Sequence, residues 1–270
     1  MSERVLEALE QTWASIDDLC SQLDVADWRT QTDCPGWSVQ DCLAHICAVE
    51  SKWLGRRLPP PMPLESRPEH VRNELGAINE AAIDMRRSRA PEEVLSEFLE
   101  VTTARLKVLG DLGKAEWDAE TDGVFGKAPL REVIAIRVLD CYYHEQDIRR
   151  AVDRAGHLVG DAPSFVYERM RAAMPFVVAK KASAPDGSTV VFDITAPDDR
   201  FTVEVSGGRG SIADKTPASA TGTIRADSET FLCLAGGRRS PDYWLEAGRA
   251  EITGEQALAR AILDQMAVTP

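Results

Sequence analysis

The sequence holds no run of eighteen apolar residues, so no membrane-spanning helix is expected. Clustered positive charge is missing too. The formal net charge is −13, which argues against a nucleic-acid partner, because phosphate contacts need grouped Lys and Arg. It argues more weakly against an anionic membrane surface. The first residues, MSERVLEALEQTW, are charged and amphipathic without an apolar signal-peptide core, so the expected compartment is the cytoplasm. No C-x-x-C pair occurs among Cys20, Cys34, Cys42, Cys47, Cys141 and Cys233. A chain of 270 residues with 44% hydrophobic content can bury a sizeable core, so disulfide staples are not required. In a reducing compartment these cysteines read as small buried residues, as ligands or as reactive thiols. Internal repeats are absent, and the proline run LPPPMP is the one low-complexity stretch. What is present, with 28% charged residues, fits a soluble globular protein of one large or two ordinary domains.

The first half reads as successive helices. Val5, Leu9, Trp13, Ile16, Cys20 and Leu23 recur at three- and four-residue steps and make one apolar stripe. Ser38, with Asp41 three residues on, has the spacing of a capping box and predicts a helix over 39–56, ended by the prolines. Further helices are expected over 69–88, from Pro91 to Leu109, and from Pro129 to about Val152, with 110–128 as a connection. Helices of this length joined by short links make an antiparallel bundle of four main helices.

The pattern changes near residue 157, which sets domains of 1–157 and 158–270. Asp161 and Pro163 start one more helix, to about Ala182. STVVFDIT, RFTVEVS, TGTIRA and AEITG then read as strands, with turns at the Asp pair 198–199 and at GGRG. Asp227 caps a short helix, and EQALARAILDQM closes the chain as an amphipathic one. Strands and helices segregate, so this half is an α+β domain.

Only four histidines occur. His45 flanks the stripe Val39, Cys42, Ile46 and Trp53 of its helix. Asp140 and His144, four residues apart, share a face beside Ile134, Val138, Cys141 and Ile148. Two imidazoles and a carboxylate from two helices suit Zn²⁺ and, less selectively, Ni²⁺, Fe²⁺ or Mn²⁺, and three protein ligands leave a fourth position open. A rival set stands beside it. Cys42, His45, Cys141 and His144 would make a closed structural zinc site, and a hydrogen-bonded core histidine is the plainest reading of each imidazole alone.

WRTQTDCPGWSVQDCLAHICAVE carries the pattern W-x-x-x-T-x-C-P-G-W-x-V-x-D-x-x-A-H, with Glu50 following. RVLDCYYHEQDIRRAV carries an acidic residue, three residues, His, two residues and Asp. Together they resemble the two motifs of the mycothiol-dependent maleylpyruvate isomerase family, within the DinB-like metal-binding four-helix bundles. GTIRADSETFLCLAGGRRSP and AEITGEQALARAILDQM look like that family's sterol-carrier-like C-terminal domain. The resemblance implies a DinB-like four-helix bundle followed by a smaller sterol-carrier-like α+β domain.

The resemblance also assigns roles. His45 and His144 match metal ligands. Asp140 stands where the characterised isomerase has Glu, one methylene longer. Asp147 matches the motif's trailing Asp and would orient His144; the plain alternative is a helix-surface salt bridge to Arg149 or Arg150. The open site is favoured, so Cys42 and Cys141 become packing residues, Cys34 is read as structural, and Trp37 packs near the helix entrance. Arg238, in AGGRRSP, is carried over as a substrate contact; the alternative is a solvated turn. The implied cofactors are a divalent metal, zinc first, and mycothiol, the cysteine-based thiol of actinobacteria. The implied activity is an isomerase, in which the thiolate adds to a conjugated cis bond and leaves after rotation, or an S-transferase, in which the adduct stays. The implied partners are mycothiol and a small electrophile, with the chain as a monomer. The competing expectation is a sterol-carrier-like binding protein for an apolar ligand, with a structural metal site.

Overall fold

The computed structural model describes residues 2–196, 198–214 and 219–269. Two compact units divide between Pro163 and Ser164.

In the first unit the helices are α1 (Ser2–Cys20), α2 (Val39–Trp53), α3 (Glu74–Arg87), α4 (Pro91–Gly110), a short α5 (Lys114–Asp118) and α6 (Leu130–Ala151). α1 packs on α6 and α4, and α2 packs on α4 and α6, which closes a four-helix bundle; α3 lies against α2. Val5, Leu9, Trp13 and Ile16 are buried, as the stripe on α1 requires. The Ser38–Asp41 capping box forms and fixes where α2 begins. Three boundaries move inward. α1 ends at Cys20, which leaves Leu23 of the expected stripe outside the helix. α2 ends at Trp53, where Gly55 turns with φ +75°. α3 starts at Glu74, because Asn73 accepts from the Gly76 N–H and Pro68 precedes it. The connection after α4 is not plain loop. Besides α5 it holds a hairpin, β1 (Glu120–Gly123) and β2 (Gly126–Pro129), with Val124 and Phe125 at its tip. Its strands of four residues carry too little apolar alternation to be read from sequence.

The second unit opens within α7 (Asp161–Phe176), whose first three residues precede the division, and α7 continues as a π-helical turn over Val177–Lys181. β3 (Thr189–Thr195), β4 (Asp198–Ser206), β5 (Arg209–Ile212), β6 (Gly222–Ala226) and β7 (Ala250–Gly254) form one sheet in the order β5-β4-β3-β6-β7. β3 and β6 run parallel, with Phe192 opposite Ile224, and the other neighbours are antiparallel. α8 (Ser228–Ala235) packs on β3, α9 (Pro241–Glu246) on β7, and α10 (Gln256–Asp264) on β6 and β7. The unit is α+β, as its pattern implies. Asp198 and Asp199 are not a turn, however; they pair with Thr195 and Ile194 as the start of β4. The turn at GGRG is confined to Gly207 and Gly208, both at positive φ, and Arg209 and Gly210 open the edge strand β5. Gly210 is obligatory there, since a Cβ would lie 2.2 Å from the Pro175 carbonyl oxygen. Among the described residues, no helix is long and apolar enough to cross a membrane.

Candidate metal centre

The turn before α2 sets up the site. The Trp37 N–H donates to the Cys34 carbonyl at 3.1 Å, and Gly36 turns at φ +77° against the ring of His70, where a Cβ would lie 2.4 Å from it. α2 then carries His45 two turns in, facing α6. Asp140 and His144 sit one turn apart on α6, and all three side chains converge. His45 Nε2 lies 3.3 Å from Asp140 Oδ2, and His144 Nε2 lies 3.7 Å from Asp140 Oδ1. The two imidazole centroids are 4.9 Å apart. One donor atom from each of the three residues falls within 4.8 Å of the others. Donors about 2.0–2.1 Å from a common ion at tetrahedral angles stand roughly 3.3–3.4 Å apart; the His45–Asp140 distance meets this, the other donors would close by a few tenths of an ångström or more, and the two-nitrogen, one-oxygen chemistry fits a divalent metal.

The surroundings separate the two imidazoles. Burial lowers the pKa of His45 against the opposing pull of Asp140, and its Nδ1 is buried without a hydrogen-bond partner. Burial would also lower His144, but the Asp147 carboxylate, followed by Cys34 and Asp140, raises it to about 10. Burial opposes ionisation of Asp140; Arg137 and both imidazoles outweigh it and hold the carboxyl well below the usual range.

Asp147 touches both His144 and Arg150. Its Oδ2 is 3.4 Å from His144 Nδ1, and its Oδ1 accepts from Arg150 at 2.6 Å. It is fully buried rather than on the helix surface, and Arg149 pairs with Glu145 instead. Cys34 is more than a turn residue: its thiol donates to Asp147 Oδ2 at 3.1 Å and lies 3.9 Å from His144 Nδ1. Its hydrogen bond with Cys42, burial and Asp147 push the Cys34 pKa well up, so the thiol stays protonated. Trp37 lies over the site, its ring 5.2 Å from His45 and 5.6 Å from His144. Its indole N–H donates to Glu80 Oε2 at 3.0 Å, which His70 and Arg87 also hold in place.

Cys42, His45, Cys141 and His144 do not gather into one donor group among the described residues. Cys141 Sγ instead accepts from Trp13 Nε1 at 3.3 Å and Arg137 Nη2 at 3.4 Å. Cys34, Cys42, His144 and Asp147 do cluster, sharing His144 with the first group. Sequence reasoning missed Arg137, which joins Glu50 on α2 to Asp140 on α6. Its one readable signal was its place three residues before Asp140. Arg238 belongs to the second unit, in the turn after α8, where Nη1 donates to the Gly236 carbonyl at 2.8 Å and its own carbonyl accepts from Trp244 Nε1 at 3.1 Å.

Residues 9–149 match the mycothiol maleylpyruvate isomerase N-terminal domain, and residues 168–261 match the MDMPI C-terminal domain. The chain belongs to the mycothiol-dependent maleylpyruvate isomerase family. Two solved structures share its fold. A mycothiol-dependent maleylpyruvate isomerase is 18% identical with a TM-score of 0.56, covering 89% of this chain and 91% of that one. A point mutant of a mycothiol-dependent maleylpyruvate isomerase is 16% identical with a TM-score of 0.57, covering 94% and 93%. No curated protein matched the sequence. The isomerase family is an enzyme family, and the His45, Asp140 and His144 cluster lies inside its N-terminal domain.

Proposed function

We propose that this member of the isomerase family is a cytoplasmic, metal-dependent enzyme that uses mycothiol on a small electrophile, by isomerisation or by S-transfer, and acts as a monomer. The observation that carries the reading is the convergence of His45, Asp140 and His144 from two helices at the spacing of ligands around one ion. In this reading these three residues hold a divalent metal, zinc first, and leave a position open for the thiol. Bound there, the metal supplies a Lewis acid that keeps a thiol as its nucleophilic thiolate near neutral pH. Asp147 occupies His144 Nδ1, which directs Nε2 toward the ion. Trp37 covers one side of the imidazole pair and excludes water there. The thiols of Cys34 and Cys141 are buried and their pKa values are raised, which favours a reacting sulfur supplied by the cofactor. Arg238 supplies the cation for an anionic substrate group.

Elemental analysis of the purified chain beside His45→Ala and His144→Ala tests the reading. The expected result is about one metal per chain, lost in both variants, as for a site with three protein ligands. A chain that neither contains nor takes up metal would sink the reading and turn attention to apolar-ligand binding by the second unit.

A further inference from the structure

We infer that Arg137 is a positioning residue for the metal-ligating carboxylate of Asp140; this rests on the metal-centre reading above. Arg137 is 6% exposed, and each of its three nitrogens is committed. Nε donates to Glu50 Oε1 at 2.9 Å, Nη1 to Asp140 Oδ2, and Nη2 to Cys141 Sγ at 3.4 Å. Glu50 is fully buried on α2, five residues beyond His45, and its other oxygen accepts from Arg105 of α4 at 3.0 Å. Arg137 therefore ties the helix that carries His45 to the carboxylate on the helix that carries His144. By pinning Oδ2, it fixes the rotation of the Asp140 carboxylate and presents Oδ1 toward His144.

Two considerations separate this role from plain stabilisation. Buried ion pairs seldom add net stability over apolar packing, because desolvation offsets the attraction. This one is not even fully satisfied, since Arg105 Nη2 is buried without a hydrogen-bond partner. The second concerns sign. A guanidinium beside a metal-binding carboxylate repels a divalent cation. If repulsion of the ion were its whole effect, removing it would tighten metal binding; its charge also keeps the buried Asp140 ionised, an effect that Arg137→Lys retains, so the lysine variant separates charge from positioning. If it positions Asp140, removing it weakens binding despite the lost repulsion, as losses around metal ligands do.

The test compares the full-length wild type, Arg137→Met and Arg137→Lys. Zn²⁺ affinity is measured by competition with a chromophoric chelator, the visible spectrum is recorded after Co²⁺ loading, and the metal-free thermal midpoint is taken for each. Arg137→Met is expected to bind Zn²⁺ about 10–100-fold more weakly, with a shifted Co²⁺ spectrum. Arg137→Lys, which keeps the charge and one donor direction, should recover part of the affinity. Unchanged or tighter binding by a folded Arg137→Met protein overturns the role. If Arg137→Met does not fold, Arg137→Lys decides: weaker binding with a shifted spectrum supports positioning, and wild-type values overturn it. A wild-type chain that takes up no metal overturns the metal centre itself, and this role with it, so the two failures are distinguishable.

Discussion

The two units bury different chemistry. The bundle buries Asp41, His45, Glu50, Glu80, Arg86, Arg105, Arg137, His144, Glu145 and Asp147. Among the described residues of the second unit, the buried polar side chains are Ser188, Thr202 and Thr230, none of them charged. Its interior is apolar, with Phe192 stacked on Phe201 at 4.8 Å and Phe231 edge-on to both. A charge is expensive to bury unless it is paired and hydrogen-bonded. Four helices could close on Leu and Val alone, as the sheet unit closes on its own apolar face. The bundle instead organises its centre around ions that hold one another, and the paired imidazoles sit inside that network. The difference lies in what each interior holds: the first unit buries charged groups that pair with one another, and the second buries an apolar core.

Removing one partner of the buried charges should break this contrast most visibly. Glu50→Ala strands Arg105 and takes from Arg137 one of its two carboxylate partners, leaving Asp140, and should cost the bundle about 3–5 kcal/mol in urea unfolding. A loss under roughly 1 kcal/mol would mean that water or side-chain rearrangement relieves the two cations and that the network is looser than its geometry. Metal should act in the opposite direction, and in one unit only. At about 100 times its dissociation constant, Zn²⁺ is expected to stabilise by about 2.7 kcal/mol, read as slowed hydrogen exchange of α2 and α6 amides. His144→Ala should abolish that protection. Protection spread equally over the second-unit sheet would contradict a site made from α2 and α6 alone.

How much of this was legible in the sequence follows from how local each signal is. The capping box at Ser38, the cap at Asp227 and the helical spacing of Asp140 and His144 lie within one element, and they are found where the pattern puts them. So does the alternation of β3, β4 and β6. The hairpin after α5 and the edge strand β5 were missed, because four residues with Gly and charged side chains carry no period. At the site, the approach of His45 to Asp140 is a fact of packing between α2 and α6; spacing alone left the cysteine-containing set open, and only the resemblance chose. Trp37 and Cys34 touch side chains from other elements, and nothing in their own neighbourhood announces it; Arg137 has one local sign, its place three residues before Asp140 on α6, while its bond to Glu50 of α2 is a fact of packing. Asp147 resisted a single reading because its two oxygens face different partners.

Smaller changes sharpen the same contrast. Ile224→Val, in the apolar sheet, removes one buried methylene and should cost about 0.5–1.5 kcal/mol, with or without metal. A metal-dependent cost would tie the sheet to the bundle site. Acid should then separate the units by their charges. Burial would raise the pKa of Glu80, but His70, Arg87 and Trp37, all bonded to it, together lower it from 4.5. A carboxyl depressed in the folded state stabilises above its unfolded value, and that stability is lost as pH falls below about 4.5 toward the folded pKa. Protonation weakens the acceptor that fixes the Trp37 indole over His45 and His144. In Glu80→Gln the bundle should therefore be weaker at pH 7, while its stability falls less steeply between about pH 4.5 and pH 3. Denaturant midpoints across that range, with hydrogen exchange resolving α2 and α3, measure it. An unchanged slope would mean that other depressed carboxyls, Asp140 beside Arg137 and Glu97 between Arg86 and Arg89 among them, carry the acid response, and that Glu80 serves chiefly to hold Trp37 in place.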